Sequence, residues 1–245
     1  MKKILYCGDS PLGGPANYLL GLLRYHGYQT LHIAPGQKLS PKNLSKDIRG
    51  IIFSDYSRDK VSEPCQKIIE QRVSEGTGFL MVGGWGSFSG PFGHWKGSRI
   101  ERILPVFCSA KDDRLNFPGG ALILPAQKAS EIFGKLSFSK SPAICGINEV
   151  RPKTASKIIL TLRPVLNENG RVKLSARKFP FLVVDSSPQK RVGALTTDFA
   201  PHWCGGFVDW GGKTIKIKVS GNIGIEIGSQ YAQFAGQLLK WLCSL

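Results

Sequence analysis

The sequence lacks the cysteine spacing that marks a metal site or a disulfide framework. Its six cysteines, at positions 7, 65, 108, 145, 204 and 243, include no CxxC or CxxxC pair. Zinc sites and small disulfide-rich domains usually show such tight spacing. Most of these cysteines lie among apolar neighbours, where a reduced thiol behaves as a small hydrophobic side chain. We therefore expect reduced core thiols, and neither a bound metal nor another cofactor.

Long apolar runs are also missing. The longest, such as "GIIF" and "ALILP", are strand-sized and fall far short of the roughly 20 residues that a membrane helix needs. The opening "MKKILYCGDS" has four apolar residues before Gly8, whereas the apolar part of a signal peptide needs about 7–15. There is no internal repeat, low-complexity tract or linker. We expect one cytoplasmic domain over residues 1–245, without a membrane span.

Acidic residues are scarce: 17 Asp and Glu face 33 Lys and Arg, so the net charge is +16. The excess is spread along the chain, with +7 in residues 1–150 and +9 in residues 151–245. A dedicated nucleic-acid binder more often gathers its basic residues on one helix or stripe. We therefore do not expect a specific nucleic-acid partner, whereas a small anionic ligand is compatible with this charge.

The first hundred residues contain apolar strands that alternate with amphipathic helices. "KKILYCGD", "QTLHIAP", "IRGIIFSD" and "GFLMVGG" are the strands, and "ANYLLGLLRYHGY" and "EPCQKIIEQRVSEG" are the helices. Ser98, followed by Glu101, predicts the start of another short helix. Strands that are apolar throughout indicate a mostly parallel sheet covered by helices on both faces. The sequence therefore predicts a doubly wound α/β fold.

Shorter strands and turns follow, and a β-hairpin stands near the C-terminus. In "TIKIKVSGNIGIEIG", isoleucines and a valine alternate with lysines up to the turn, and isoleucines alternate again after it. The last segment, "SQYAQFAGQLLKWLCSL", has the periodicity of an amphipathic helix. An exposed hairpin of this kind often packs on another subunit, so we expect a homo-oligomer.

Ligands of doubly wound sheets bind outside the carboxyl ends of the strands, and this rule selects four loops. The glycine-rich loop from Asp9 to Pro15 matches neither GxGxxG nor GxxxxGKS, so it is weak evidence for a phosphate cradle. Asp55 ends a strand, where it either caps a turn or contacts a ligand. The remaining candidates are Gly84, Trp85, Gly86, Ser87 and His94 in the third loop, and Asp198, His202 and Trp203 in the fourth.

Two of these loops allow a catalytic and a structural interpretation. "VGGWGSFSG" has the glycine pattern of a nucleophile elbow, but Trp85 or Gly86 stands at the apex, where an elbow needs Ser or Cys. In "TTDFAPHWCGGFVDWGG", His202 is either an acid–base group at the end of a strand or a hydrogen-bonded core residue. The loop around His94 either contacts a ligand or simply covers the sheet.

Several motifs resemble a known family. "GTGFLMVGGWGSFSG", "GSRIERILPV", "DDR" at 112–114, "GIN" at 146–148, "RVGALTTDFAPHWCGGFVDW" and "QLLKWL" occur in its order and cover nearly the whole chain. They resemble the glutamine amidotransferase-like proteins, a bacterial branch of the class I superfamily that is distantly similar to trehalose-utilisation-type proteins. The resemblance implies a flavodoxin-like fold and a pocket between the elbow loop and the His202 loop, and it leaves the C-terminal hairpin as an addition.

The resemblance does not extend to the catalytic triad. Class I amidotransferases hydrolyse glutamine with an elbow cysteine and a His-x-Glu pair, and this sequence has neither. A thiolate must attack the carboxamide, and no other side chain of "GGWGSF" is a comparable nucleophile. We therefore do not expect glutaminase activity, and Ser87 would need a base that the sequence does not identify.

Two hypotheses remain open. In the first, the protein is an enzyme of unknown reaction on a small, anionic or amide-bearing molecule, with His202, Asp198 and Ser87 as catalytic residues. Asp9, Asp55, His94, Trp203 and the backbone of Gly84, Trp85 and Gly86 would then bind the substrate. In the second, the chain keeps the amidotransferase pocket only to bind a ligand or partner.

Overall fold

The computed structural model describes residues 1–10 and 14–244, and it builds them around one large β-sheet. The strands are β1 Lys3–Gly8, β2 Gln29–Ile33, β3 Ile48–Ser54, β4 Gly78–Val82, β5 Val106–Phe107, β6 Arg114–Pro125, β7 Ala143–Asn148, β8 Arg151–Pro152, β9 Ser156–Glu168, β10 Arg171–Leu174, β11 Phe179–Asp185, β12 Val192–Leu195, β13 Thr214–Ser220 and β14 Ile223–Gly228. The helices are α1 Ala16–Tyr25, α2 Glu63–Ser74, α3 Arg99–Ile103, α4 Ser130–Phe133, α5 Pro201–Cys204 and α6 Ser229–Leu242.

The large sheet has ten strands, in the order β2-β1-β3-β4-β12-β11-β9-β6-β7, with β10 paired to β9. The first five strands in this order, β2, β1, β3, β4 and β12, run parallel to one another. From β11 onward each strand is antiparallel to its neighbours. The carboxyl ends of β1, β3, β4 and β12 therefore lie at one edge of the parallel half, where the strand-end rule places a ligand site.

Apolar side chains of the parallel strands point alternately to two cores, one on each face of the sheet. Ile4 and Tyr6 of β1 belong to one core, together with residues of α1 and α6. Leu5 and Cys7 of the same strand belong to the other, together with residues of α2 and α3. This alternation follows from the two-residue period of a strand. Over the described ranges, no helix has the length and apolar character needed to cross a membrane.

The C-terminal hairpin of β13 and β14 packs on its own chain. Ile217 and Ile225 are buried, and Ile225 lies so close to Gly21 of α1 that a Cβ there would be 2.7 Å from its Cδ1. The outward face is polar, with a 2.9 Å ion pair between Lys216 and Glu226. The predicted hairpin is therefore confirmed. Its apolar face is used within the chain, and a homo-oligomer stays a prediction.

The predicted flavodoxin-like α/β arrangement is confirmed, and so is the helix that starts after Ser98. The Ser98 Oγ accepts the backbone N–H of Glu101 over 3.0 Å, as expected of an N-cap. The Glu101 carboxylate does not complete a capping box, because it accepts the N–H groups of Gly97 and Cys108 instead. The sequence pattern did not predict α4 or the pairing of β5 with β8.

Candidate functional site

A cavity of about 780 Å³ lies at the carboxyl ends of the parallel strands. Six of the predicted site residues line it together, although they come from four separate loops. Residues that the sequence analysis did not select, among them Ser57, Asp59, Lys60 and Phe92, complete the wall. The predicted residues on the cavity are Asp9, Asp55, Trp85, Gly86, His94 and His202.

His202 reaches the cavity from the short helix α5 and pairs with a carboxylate behind it. Ala200 is extended and Pro201 starts the helix, so that His202 lies one turn from Asp198. The His202 Nε2 is 2.7 Å from the Asp198 Oδ2, and the side chains are 48% and 4% exposed. Ala200 donates its N–H to the other oxygen of Asp198 over 3.2 Å. The hydrogen bond with Asp198 raises the pKa of His202, and burial opposes this rise.

Asp198 pairs with one nitrogen of the imidazole, Nε2. Burial raises the pKa of the Asp198 carboxyl, and the bond to His202 opposes that rise. Within residues 1–10 and 14–244, Asp198 Oδ2 has no hydrogen-bond partner besides the imidazole. His202 lines the cavity, and because its Nε2 faces Asp198, Nδ1 is the ring nitrogen left to exchange a proton with a ligand.

Asp9 is a second titrating group on the same cavity. It follows β1 and is almost fully buried, and the Tyr6 hydroxyl beneath it donates to its Oδ2 over 2.5 Å. Burial, followed by the charge of Asp55, raises the pKa of Asp9 to about 7. At neutral pH this carboxyl is therefore divided between its acid and base forms. The sequence did not identify Tyr6 as the partner of Asp9, because Tyr6 stands in an apolar strand and reads there as an ordinary core residue.

The Asp55 carboxylate accepts hydrogen bonds from backbone N–H groups of the glycine loop. Its Oδ1 accepts the N–H of Gly86 over 2.6 Å, and the N–H of Trp85 also bonds to its carboxylate. Gly84 has a φ of +152°, and a Cβ there would lie 2.3 Å from Asp55 Oδ1, so only glycine lets the carboxylate approach. Burial raises the pKa of Asp55, and the Gly86 bond opposes the rise. The donors expected for a substrate oxygen are thus already bonded.

Three non-glycine residues of the cavity wall have left-handed backbone conformations. The φ angles of Asp9, Asp55 and His94 are +46°, +52° and +54°. Such conformations are costly for residues with a Cβ, and they concentrate at functional sites. Here they turn two carboxylates and an imidazole towards one space, because each residue stands where the chain leaves a strand or rounds a tight loop.

Four predicted site residues do not line the cavity, and one of them is Asp198, which lies behind His202. Ser87 is 1% exposed, and its Oγ accepts the backbone N–H of Asp55 over 3.1 Å. Gly84 donates its N–H to the Asn148 side chain over 2.8 Å. Trp203 is buried, and its indole N–H bonds to the Asn116 side chain over 3.1 Å. Ser87 and Gly84 thus hold the cavity wall in place without facing the cavity. Trp203, a residue of α5, joins this helix to β6.

The "DDR" and "GIN" motifs meet behind the glycine loop. The fully buried Asn148 amide donates to Gly84 O over 3.2 Å and to Asp113 Oδ1 over 2.7 Å. Asp113 also accepts the N–H of Ser89 over 2.8 Å. Burial raises the pKa of Asp113 to about 6, and the bond from Asn148 opposes the rise. These motifs therefore hold the loop that carries Trp85, rather than facing the cavity themselves.

An aromatic pair borders the cavity. Trp85 and Phe92 are 47% and 59% exposed, and their rings stack with centroids 6.3 Å apart. The Arg114 guanidinium lies 4.2 Å from the centre of the Trp85 ring and also forms an ion pair with Asp112. Exposed aromatic rings beside polar groups are typical of small-molecule sites. Phe92 could have been found from the sequence as an aromatic residue in the same loop.

Neither a thiol nor a metal-binding cluster is present at the site. Five of the six cysteines are buried, Cys145 is exposed, and none of them lines the cavity. Across the part of the chain that the structure describes, no group of three or more His, Cys, Asp or Glu residues is arranged to hold a metal ion. The site therefore offers carboxylates and imidazoles for proton transfer, without a thiolate nucleophile.

The Asp198–His202 pair predicts a measurable change in the titration of the imidazole. In Asp198→Asn the charged partner is lost, so the pKa of His202 should fall towards that of an ordinary histidine. NMR titration of the histidine ring protons would measure this change. The exposed Asp47→Asn serves as a control and should leave the His202 curve where it is. An identical His202 curve in Asp198→Asn would show that the pair is not formed in solution.

Comparisons with known proteins agree with this architecture. Among curated protein sequences, no significant match to the chain is found. Cytoplasmic protein STM3548 from Salmonella typhimurium has a similar structure, with a TM-score of 0.74 and 20% identity over 98% of each chain. Cytoplasmic protein STM1381 from Salmonella typhimurium LT2 is similar at a TM-score of 0.73 and 20% identity, over 98% of this chain and 99% of that one.

A third similar structure is the carbohydrate deacetylase Agd3, at a TM-score of 0.55 and 13% identity, over 83% of this chain and 30% of that one. At these identities the structures show a shared fold only. The sequence itself matches a family model, described as "putative glutamine amidotransferase", over residues 53–220. That range includes the end of β3 with Asp55, the glycine loop and the Asp198–His202 pair. The chain therefore belongs to this glutamine amidotransferase-like family.

Proposed function

We propose that the protein is an enzyme that catalyses proton transfer on a small polar molecule bound in the cavity. The observation that carries this proposal is the 2.7 Å contact between Asp198 and His202, whose imidazole is half-exposed on the cavity wall. His202 acts as the acid–base group, and Asp198 orients it and stabilises its charged form. Asp9, with a pKa of about 7, is the second group that can exchange a proton at neutral pH.

The charges around the cavity favour a neutral or amine-bearing ligand. Asp9, Asp55 and Asp59 line it, and Lys60 is already paired with Asp59 over 2.8 Å. An anionic ligand, although compatible with the net charge of the whole chain, would meet these carboxylates directly. Asp55 is fixed by two backbone N–H groups, so it is suited to accept hydrogen bonds from ligand hydroxyl or amine groups.

Glutamine hydrolysis through a covalent intermediate has no support at this site. No cysteine lines the cavity, and the Ser87 hydroxyl is buried against the backbone of Asp55. We therefore assign Ser87 a structural role, as a support for the strand end that carries Asp55. Trp203 receives a similar role, because its indole joins α5 to β6.

The alternative is a binding protein without catalysis, and one observation favours it. The backbone N–H groups of Gly84 and Gly86 are bonded to Asn148 and Asp55, so they are not free to stabilise charge on a reacting oxygen. Proton transfer does not need these donors in the way that acyl transfer does. If the protein is an enzyme, we therefore favour proton transfer over hydrolysis, because hydrolysis would need these N–H donors to be free.

A ligand screen followed by isotope exchange tests the proposal. Thermal shift with neutral polyols, amines, amides and carboxylates identifies ligands, and NMR in D₂O then follows turnover or deuterium incorporation for each. We expect His202→Asn to lower the rate by about 10²–10⁴-fold, the usual contribution of an acid–base group. Ser87→Ala, as a control, should keep the rate within a few-fold once its folding is verified. A ligand that binds but is never converted would favour the binding protein instead.

For cellular location we propose the cytoplasm. The support is that all six cysteines are free in the structure, which is typical of a reducing compartment. The two Salmonella proteins with similar structures are each described as a cytoplasmic protein.

A further inference from the structure

A second cavity lies against the antiparallel half of the sheet and shares no residue with the candidate active site. It has a volume of about 770 Å³ and is walled by β5, β8, β9 and β11. A neighbouring cavity of about 530 Å³ continues it, because both are lined by Ile158, Thr161 and Lys178. We call the two together the basic groove.

The basic groove gathers cations that are far apart in the sequence. Six Lys and Arg residues line it, against one acidic residue, Glu149, which pairs with Arg177. Glu131, which does not line the groove, forms ion pairs with both Lys128 and Lys157. The other three cations, Lys96, Arg151 and Lys178, have no carboxylate partner among the residues that the structure describes. The basic residues are thus spread along the sequence, but the fold brings six of them together in the groove.

Both arginines of the groove lie over phenyl rings. The Arg151 guanidinium lies 4.2 Å from the centre of the Phe107 ring, and that of Arg177 lies 4.4 Å from the centre of the Phe179 ring. Phe107 is 39% exposed, whereas its neighbour on β5, Val106, is fully buried. A guanidinium with one face over a ring can stack a nucleobase on its other face, and Arg151, which has no carboxylate partner among the described residues, can also bind a phosphate through its N–H edge.

We propose that the basic groove binds single-stranded nucleic acid. Unpaired cations supply contacts to phosphates, and the arginine planes supply stacking surfaces, the combination that single-strand binders use. A duplex would hide its bases from these planes, and a peptide made only of Asp and Glu residues has no flat ring system to place on them. The candidate active site is lined by carboxylates, so the same polymer is not expected to bind there.

The test is fluorescence anisotropy with labelled 12-mers of dT and rU. If Lys96, Arg151 and Lys178 each neutralise one phosphate, the logarithm of the affinity should fall with a slope of about −2 against the logarithm of the salt concentration. Binding should then weaken by about 15-fold between 50 and 200 mM salt. The double variant that combines Arg151→Glu and Lys178→Glu, the groove variant, should weaken binding by at least about 10-fold.

A matched variant separates the groove from the overall charge. Lys42 and Lys67 are exposed and lie outside the groove, so Lys42→Glu with Lys67→Glu makes the same change in net charge and should alter affinity by less than about 2-fold. If the groove variant melts early, Arg151→Gln with Lys178→Gln replaces it. Equal losses in the groove and matched variants would overturn the proposal. So would a duplex that binds as tightly, or polyglutamate that competes as well as the oligonucleotide.

Discussion

Asp9→Asn should make the protein more stable at pH 8, by about 2–4 kcal/mol in the free energy of unfolding. Burial, with help from the charge of Asp55, raises the pKa of Asp9 to about 7. The folded state thus binds this proton more tightly than the unfolded state, so stability falls as the pH rises from about 4 through 7. Asparagine removes the charge, and its side-chain oxygen can still accept the hydrogen bond from Tyr6.

Urea denaturation at pH 4.5 and pH 8 measures this effect. The gain of Asp9→Asn should be large at pH 8 and nearly absent at pH 4.5, where wild type is already protonated. Asp47→Asn is the control, because Asp47 is exposed, and Ser45 and Lys3 lower its pKa. It should give a small change of opposite sign at pH 8. An Asp9→Asn variant that is less stable than wild type at pH 8 would contradict the assigned titration.

If Asp9→Asn is more stable and also loses the proposed proton transfer, the two results together identify Asp9 as a functional group. A buried carboxyl that costs stability at neutral pH fits the trade-off between stability and activity seen at functional sites. A stabilised variant with full activity would limit the acid–base role to His202.

Asn148→Ala should destabilise the protein by about 3 kcal/mol. The substitution removes an amide that bonds the N–H and the C=O of Gly84, and it leaves Asp113 buried without its side-chain donor. The loop that carries Trp85 should then loosen. Denaturation measures the stability, and hydrogen exchange of the Gly84 and Ser89 amides measures the loop.

Asn167→Ala is the matched control, since Asn167 is exposed at the end of β9. Its effect should stay within about 0.5 kcal/mol, as for most surface substitutions. A loss below about 1 kcal/mol in Asn148→Ala, with unchanged exchange at Gly84, would show that this network does not hold the loop.

The sequence predicted the parallel half of the fold because its signals are local. Apolar strands such as β3 and β4 end in residues that the strand-end rule places together, and Asp9, Asp55 and His202 do share one cavity. The same rule does not say which way a side chain turns. Ser87 and Trp85 stand two positions apart, yet the first is buried under Asp55 and the second borders the cavity.

The hydrogen-bond partners of side chains, and the burial around them, could not be predicted in this way. Tyr6 lies only three residues before Asp9 and donates a hydrogen bond to it. The effect of this bond on Asp9 depends on the burial of both side chains, which the packed helices cause. Asn148 and Asp113 were visible as motifs, and only the fold shows that they hold Gly84. Likewise, Arg151 and Lys178 are ordinary surface cations in the sequence, and the antiparallel pairing of β9 with β11 brings their segments into one groove.

The most direct test of the acid–base site is the pH profile of kcat/KM for the substrate found by the screen, measured for wild type and Asp198→Asn. If His202 exchanges the proton, the limb of the profile that belongs to it should move to lower pH in Asp198→Asn, in step with the NMR titration of the ring. A profile that stays fixed while the pKa of His202 moves would contradict the account, as would the absence of turnover at every pH.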